Sequence, residues 1–247
     1  MATTPRSANY TIAVLRRVLG WAVDHGLMAV NPASRPRQLR TNARDEVWSP
    51  EAEVRFLDEA TPPMRLAFLL AVYTAQRQGD ILRMAWTQYD GASIRLRQSK
   101  TGRLVKVPCH PTLRAVLDAT KRAAVTILAT ESGRAFKEDH FRHQWREVTK
   151  AAGLDGLQFR DLRRTAMVRL AEAGATDIEI AAVSGHEIET TRRILETYVP
   201  RTTAMAEAAI RKLERHGRND SKTRGGKQAG QKVGNTPPSG KGKALET

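Results

Sequence analysis

Apolar residues first recur at helical spacing between residues 11 and 25. Ile12, Leu15, Val18, Leu19 and Ala22 share one stripe, Gly26 suits a C-cap, and Asn31-Pro32 stops the pattern. Residues 35–46 are polar and carry Arg35, Arg37, Arg40 and Arg44, as a basic linker would. Ser49-Pro50 supplies an N-cap and an N1 proline for a helix through residue 60, and a more apolar helix is expected over 63–75. Gln78-Gly79-Asp80 interrupts the pattern before Ile81, Leu82, Met84 and Trp86. Over 94–98 and 104–107 the apolar spacing changes to alternation around Ser99-Lys100-Thr101-Gly102, which predicts a β-hairpin with a short loop. Helical spacing returns over 112–123, over 138–151, where Phe141, Trp145 and Val148 align, and over 162–173, closed by Gly174. Thr176 and Glu179 form a capping box for a short helix ending before Gly185, and further helices are expected over 190–195 and 204–215. The pattern predicts a mainly α fold with a small antiparallel β-hairpin. A first helical piece occupies 1–34, a linker 35–46, and the main domain 47–215.

Composition adds a polyanionic partner. Among 247 residues, 41 Lys+Arg stand against 26 Asp+Glu, for a net charge of +15. Such a balance points to nucleic acid before any anionic surface. Seven bases and two acids from residue 216 onward carry +5 of this, so +10 belongs to the part expected to fold. Residues 216–247 hold almost nothing apolar and are expected to form a disordered basic tail. The single cysteine, Cys109, excludes an intramolecular disulfide and a cysteine-based metal site. No apolar run is long enough for a membrane span and the N-terminus has no signal-like apolar core, so a cytoplasmic protein is expected.

Chemistry enters with five short motifs. Tyr73-Thr-Ala-Gln-Arg77-Gln-Gly-Asp80 ends the apolar helix, and Ser99-Lys100-Thr101-Gly102 forms the hairpin turn. Phe159-Arg160-Asp161-Leu162-Arg163-Arg164 opens a helix, Ser184-Gly185-His186 closes another, and Tyr198 follows. In this order they resemble the active-site signatures of the tyrosine recombinases of the phage-integrase family, over about 47–215. The resemblance implies Arg77 and Arg163 as the two catalytic arginines, Asp80 as an acidic companion, Lys100 and His186 as catalytic residues, and Tyr198 as the nucleophile. It also implies the family's catalytic fold, double-stranded DNA as substrate, a homo-oligomer that is a synaptic tetramer on DNA, and no metal or cofactor. The residue types suit that chemistry. Guanidiniums fork onto phosphate oxygens and stay charged, and positive charge favours a phenolate. A lysine can protonate a departing 5′-oxygen, and a histidine can donate to a phosphate oxygen or assist proton transfer.

Three positions depart from the resembled pattern. Arg160 stands where the His-x-x-Arg box has histidine, and arginine cannot accept a proton near neutral pH, which leaves phosphate binding as its available role. The interval from His186 to Tyr198 is slightly long. Residues 9–32 resemble only the closing helix of the family's core-binding domain, so 1–34 reads as a remnant of it. The resulting expectation is a site-specific recombinase acting in integration or excision of a mobile element. The alternatives are a truncated, non-catalytic DNA-binding remnant of an integrase, and a generic basic helical chromosomal or RNA-binding protein.

Overall fold

The structure, a computed structural model, describes residues 4–41 and 44–198, with the helical residues Glu207, Ile210, Arg211 and Glu214 beyond them. Apart from those four, the helix expected over 204–215 lies outside the described residues, as does the tail from 216. The chain divides into two units, Met1–Glu46 and Val47–Thr247.

In the first unit α1 (Pro5–Asp24) begins earlier than its apolar stripe, because Thr4 caps it by accepting from the Ser7 N–H and Pro5 occupies the first turn. Gly26, at φ 71°, reverses the chain. The returning segment is pinned to the helix: the Asn9 side chain donates to the Leu39 carbonyl (2.8 Å) and accepts from its N–H (2.9 Å). None of α1's residues is buried, and Tyr10, Val14, Leu15, Val18 and Trp21 stand exposed along it.

The second unit carries the helices α2 (Pro50–Glu59), α3 (Pro62–Thr74) and α4 (Gln78–Arg83), then the hairpin β1 (Ser93–Arg97) and β2 (Leu104–Pro108). After it come α5 (Pro111–Ala119), α6 (Glu138–Ala151), α7 (Asp161–Glu172), α8 (Asp177–Ser184) and α9 (Ile188–Tyr198). The two strands pair antiparallel with Arg97 opposite Leu104, and Ile94, Leu96, Val105 and Val107 turn inward. Mainly helical architecture with one small hairpin is thus the observed fold. Among the described residues no helix is long and apolar enough to cross a membrane.

The core is centred on α2, α3, α6 and α7. Phe56 and Trp145 lie 4.3 Å apart between ring centroids, Phe159 meets Trp145 edge-on at 4.7 Å, and Trp48 and Phe68 complete the cluster. Each such ring contributes about 1.5–3 kcal/mol by leaving water. A smaller cluster of Met167, Ala171 and Ile180 takes Ile194 and Leu195, seating α9 against α7 and α8.

The interruption at Gln78-Gly79-Asp80 starts a helix rather than ending one. Ala75 adopts the left-handed region (φ 52°), stopping α3, and Arg77 is extended, so α4 begins along a new axis with the Arg77 carbonyl accepting from Asp80 and Ile81 N–H groups. Alanine there costs about 1–2 kcal/mol, a strain held by the packing around it. α5 stops four residues short of the expected end, and α9 extends further at both ends than the stretch 190–195.

Candidate active site

Arg77 is delivered to the site by the α3–α4 bend. Its guanidinium is half-buried and Nη1 donates to Gln98 Oε1 at 3.0 Å. Asp80, one turn later, accepts from both the N–H (2.9 Å) and the hydroxyl (2.7 Å) of Ser99, the residue before Lys100. The acidic companion therefore anchors the hairpin turn. That turn is closed by Gln98 N–H to Arg103 carbonyl and Gly102 N–H to Gln98 carbonyl bonds, both 2.8 Å, with Gly102 at φ 67°. Lys100 projects from it exposed.

Arg163 lies in the first turn of α7, only 8% exposed. Nη2 donates to the Ser184 carbonyl (2.9 Å) and to His186 Nε2 (3.0 Å). Among the described residues its Nε and Nη1 are buried with no hydrogen-bond partner, as is His186 Nδ1. Burial first, then the Arg77 charge, pulls the Arg163 pKa down to about 9, so it stays cationic at neutral pH at an electrostatic cost. His186 is pushed to about 3 by burial and by Arg163, Arg77 and Arg103, so it is neutral. An arginine only donates, so Nε2 must be the acceptor and the proton sits on Nδ1. Gly185 makes the turn that presents this histidine, in the left-handed C-cap of α8 (φ 69°). Arg103 donates to the His186 carbonyl at 2.6 Å.

Arg77, Arg163, His186 and the Lys100 turn therefore converge. Arg160 is exposed and lines a cleft of about 470 Å³ with Gln78, the neighbour of Arg77, and with Arg142, Arg146 and Trp145. Trp145 is 4% exposed and its indole N–H has no partner among the described residues. Tyr198 is the last residue of α9, whose start is fixed to α8 by the Arg192–Asp177 ion pair (2.8 Å). The side chain of Tyr198 lies outside the described residues.

Sequence reasoning missed Gln76, Gln98 and Arg103. Alternation did carry a signal for one of them: Ile94 and Leu96 point inward, so Gln98 continues an apolar face with a polar group.

Comparison with known proteins adds the lineage. The phage integrase family profile matches residues 50–199. The shufflon-specific DNA recombinase of Escherichia coli is 29% identical over 193 residues, covering 74% of this chain and 48% of that protein. The integrase of Mycobacterium phage L5 is 28% identical over 231 residues, 83% of this chain and 61% of its own length. The chain thus spans about half the length of the first of these relatives. In fold it resembles a lambda integrase dimer bound to a COC′ core site (TM-score 0.65, 23% identity, 74% of this chain and 72% of that one). It also resembles the Tn1549 transposon integrase in complex with circular intermediate DNA (TM-score 0.64, 16% identity, 84% and 79%). With its profile matched from α2 through α9, the chain belongs to the phage integrase family.

Proposed function

We propose that this chain cleaves and rejoins duplex DNA by transesterification, as a site-specific recombinase in the integration or excision of a mobile element. The observation that carries the reading is the convergence of Arg77, Arg163 and His186 at the foot of the hairpin that bears Lys100. The Tyr198 phenol gives up its proton to solvent water, its oxygen attacks the scissile phosphorus to form a 3′-phosphotyrosyl bond, and the phosphorus–5′-oxygen bond breaks with the 5′-oxygen taking a proton from Lys100. A 5′-hydroxyl of another strand reverses the step, so the bond energy is conserved. Negative charge that develops on the non-bridging oxygens meets two guanidiniums already in place, which is the most effective form of transition-state stabilisation. Among the described residues Arg163 Nε and Nη1 and His186 Nδ1 are donors without a partner, and a phosphate oxygen would satisfy them. Arg142, Arg146 and Arg160 suit neighbouring backbone phosphates. Working on two duplexes requires several copies, so the acting form is a homo-oligomer, a synaptic tetramer on DNA.

A second reading is occupancy of DNA sites without strand exchange. It is favoured by the exposure of Tyr10, Val14, Leu15, Val18 and Trp21 along α1, an apolar surface that contributes nothing to positioning a phosphate, and positioning carries much of the rate in phosphoryl transfer. Incubation with a nicked substrate bearing the chain's own attachment site separates the two. A covalent protein–DNA adduct that Tyr198→Phe abolishes, with binding retained, supports catalysis. Binding with no adduct supports occupancy alone, and an adduct formed at the wild-type level by Tyr198→Phe overturns the nucleophile.

A further inference from the structure

Gln98 is fully buried at the end of β1, and all four hydrogen-bonding positions of its amide are used. Oε1 accepts from Arg77 Nη1 (3.0 Å) and from the Thr101 hydroxyl (2.9 Å). Nε2 donates to Gln76 Oε1 (2.6 Å) and to the Ser184 carbonyl (2.8 Å). Gln76, 1% exposed, passes the connection on by donating to the Thr74 and Val183 carbonyls (2.8 and 2.9 Å). The Ser184 carbonyl that receives Gln98 also receives Arg163. One amide therefore touches the α3–α4 bend, the Lys100 turn and the α8 turn that holds Arg163 and His186.

We infer that Gln98 is a positioning residue: it aims Arg77 and fixes the Lys100 turn relative to Arg163 and His186. The inference rests on the strand-transfer reading above for its effect on rate, and on geometry alone for its effect on the fold. The chemistry of the amide matters. A carboxylate at this place would also hold Arg77, but it would cancel the charge that the guanidinium presents to phosphate. It would further set an oxygen against the Gln76 Oε1 and Ser184 carbonyl acceptors. An amide supplies two acceptor sites and two donors with no net charge, and the surroundings require that set. Catalytic groups are held to within a fraction of an ångström by such buried, fully satisfied partners, and misplacement by about 1 Å costs on the order of 100-fold.

The test uses the full chain with Gln98→Met, which keeps length and removes the polar contacts, and Gln98→Glu. Adduct formation on the nicked substrate is measured at saturating protein, with the half-saturating concentration recorded separately. Gln98→Met is expected to lower the rate constant about 10- to 100-fold while half-saturation moves less than about threefold. Gln98→Glu is expected to lose at least as much. In an Arg77→Lys background Gln98→Met should cost less than about a further threefold, because the two act as a unit. A wild-type rate for Gln98→Met, recovery by Gln98→Glu, or the full loss repeated beside Arg77→Lys overturns the proposal. Hydrogen exchange of the unbound protein is read in parallel. Residues 98–103 and 183–187 should exchange faster in Gln98→Met, with α6 unchanged; unaltered exchange in both segments overturns the proposal. If the wild type itself forms no adduct, the strand-transfer reading fails and exchange alone decides the role of Gln98, as it does if Arg77→Lys has no measurable rate.

Discussion

Gly185→Ala tests the packing of the site directly. The position has φ +69°, which an alanine adopts at a cost of about 1–2 kcal/mol. The second cost is larger. A Cβ on residue 185 would lie 2.4 Å from Gln98 Nε2, 2.6 Å from Cδ and 2.7 Å from Oε1, so the whole amide head must move. Its four hydrogen bonds cannot survive that displacement, and each contributes about 1 kcal/mol net in a buried setting. The sum, about 5–6 kcal/mol, is a large part of the stability of an ordinary domain. Gly153→Ala is the matched control: φ is +66° but the nearest atom, Arg55 Nη1, is 3.7 Å away, so only the backbone cost applies. Urea melts of the two variants should differ by at least about 2 kcal/mol with equal slopes. Gln98→Ala placed in the Gly185→Ala background should cost much less than Gln98→Ala alone, because its hydrogen bonds are already lost there. Equal losses for Gly185→Ala and Gly153→Ala, or strict additivity in the double variant, would refute the reasoning.

The remaining expectations concern charge. Arg163→Met removes a buried cation with two nitrogens that have no partner among the described residues, so the stability read from urea melts should rise by on the order of 1 kcal/mol while adduct formation is lost; a clear drop in stability contradicts the electrostatic reading. His186 has a folded pKa of about 3, below its ordinary 6.5, so it is neutral in both states above pH 6.5. As pH falls from 6.5 towards 3 the unfolded chain takes up a proton that the native site refuses, and stability declines by up to about 1.4 kcal/mol per pH unit. His186→Gln should flatten the pH dependence of the urea midpoint between 6.5 and 5, and an unchanged slope there counts against a neutral, buried histidine. Arg146→Ala and Arg160→Ala should each weaken DNA affinity without sequence preference and reduce the log–log salt slope by roughly one, as titrations at several salt concentrations will report.

The parts of the site that were legible in the sequence are those encoded within a few residues. The capping box at Thr176 and Glu179, the proline starts of α2 and α3, and the glycine before His186 announce α3, whose end delivers Arg77, and α8 with the turn that presents His186. The hairpin was readable from alternation, and it places Lys100 in a turn. What could not be read is what depends on distant pairing. Gln98 meets Gln76 and Ser184 across 22 and 86 positions of chain, and no local pattern encodes either contact. The short helix α4 is hidden for a different reason: six residues after a left-handed alanine give periodicity nothing to detect. Arg160, at the N-cap of α7, is exposed while Arg163 in the first turn is buried, a difference that their common basic run does not announce.

The charge arrangement around Arg163 makes sense of these details together. Two guanidiniums near one another repel, and burial adds a desolvation cost to Arg163 that lowers its pKa. The obvious relief is a carboxylate, and one is at hand in Asp80, 4% exposed. Yet its hydrogen bonds go to Ser99, and the groups that bond Arg77 and Arg163 directly are neutral: the Gln98 amide, the Ser184 carbonyl and the His186 imidazole. Dipoles orient a cation without cancelling it, whereas an ion pair would leave little field for a substrate. The buried Asp80 charge offsets part of the cost from a distance, and because no carboxylate hydrogen-bonds either guanidinium directly, the strand-transfer reading leaves the rest of the positive charge available to an incoming phosphate, a cost sustained by the aromatic core packed beneath α3 and α7.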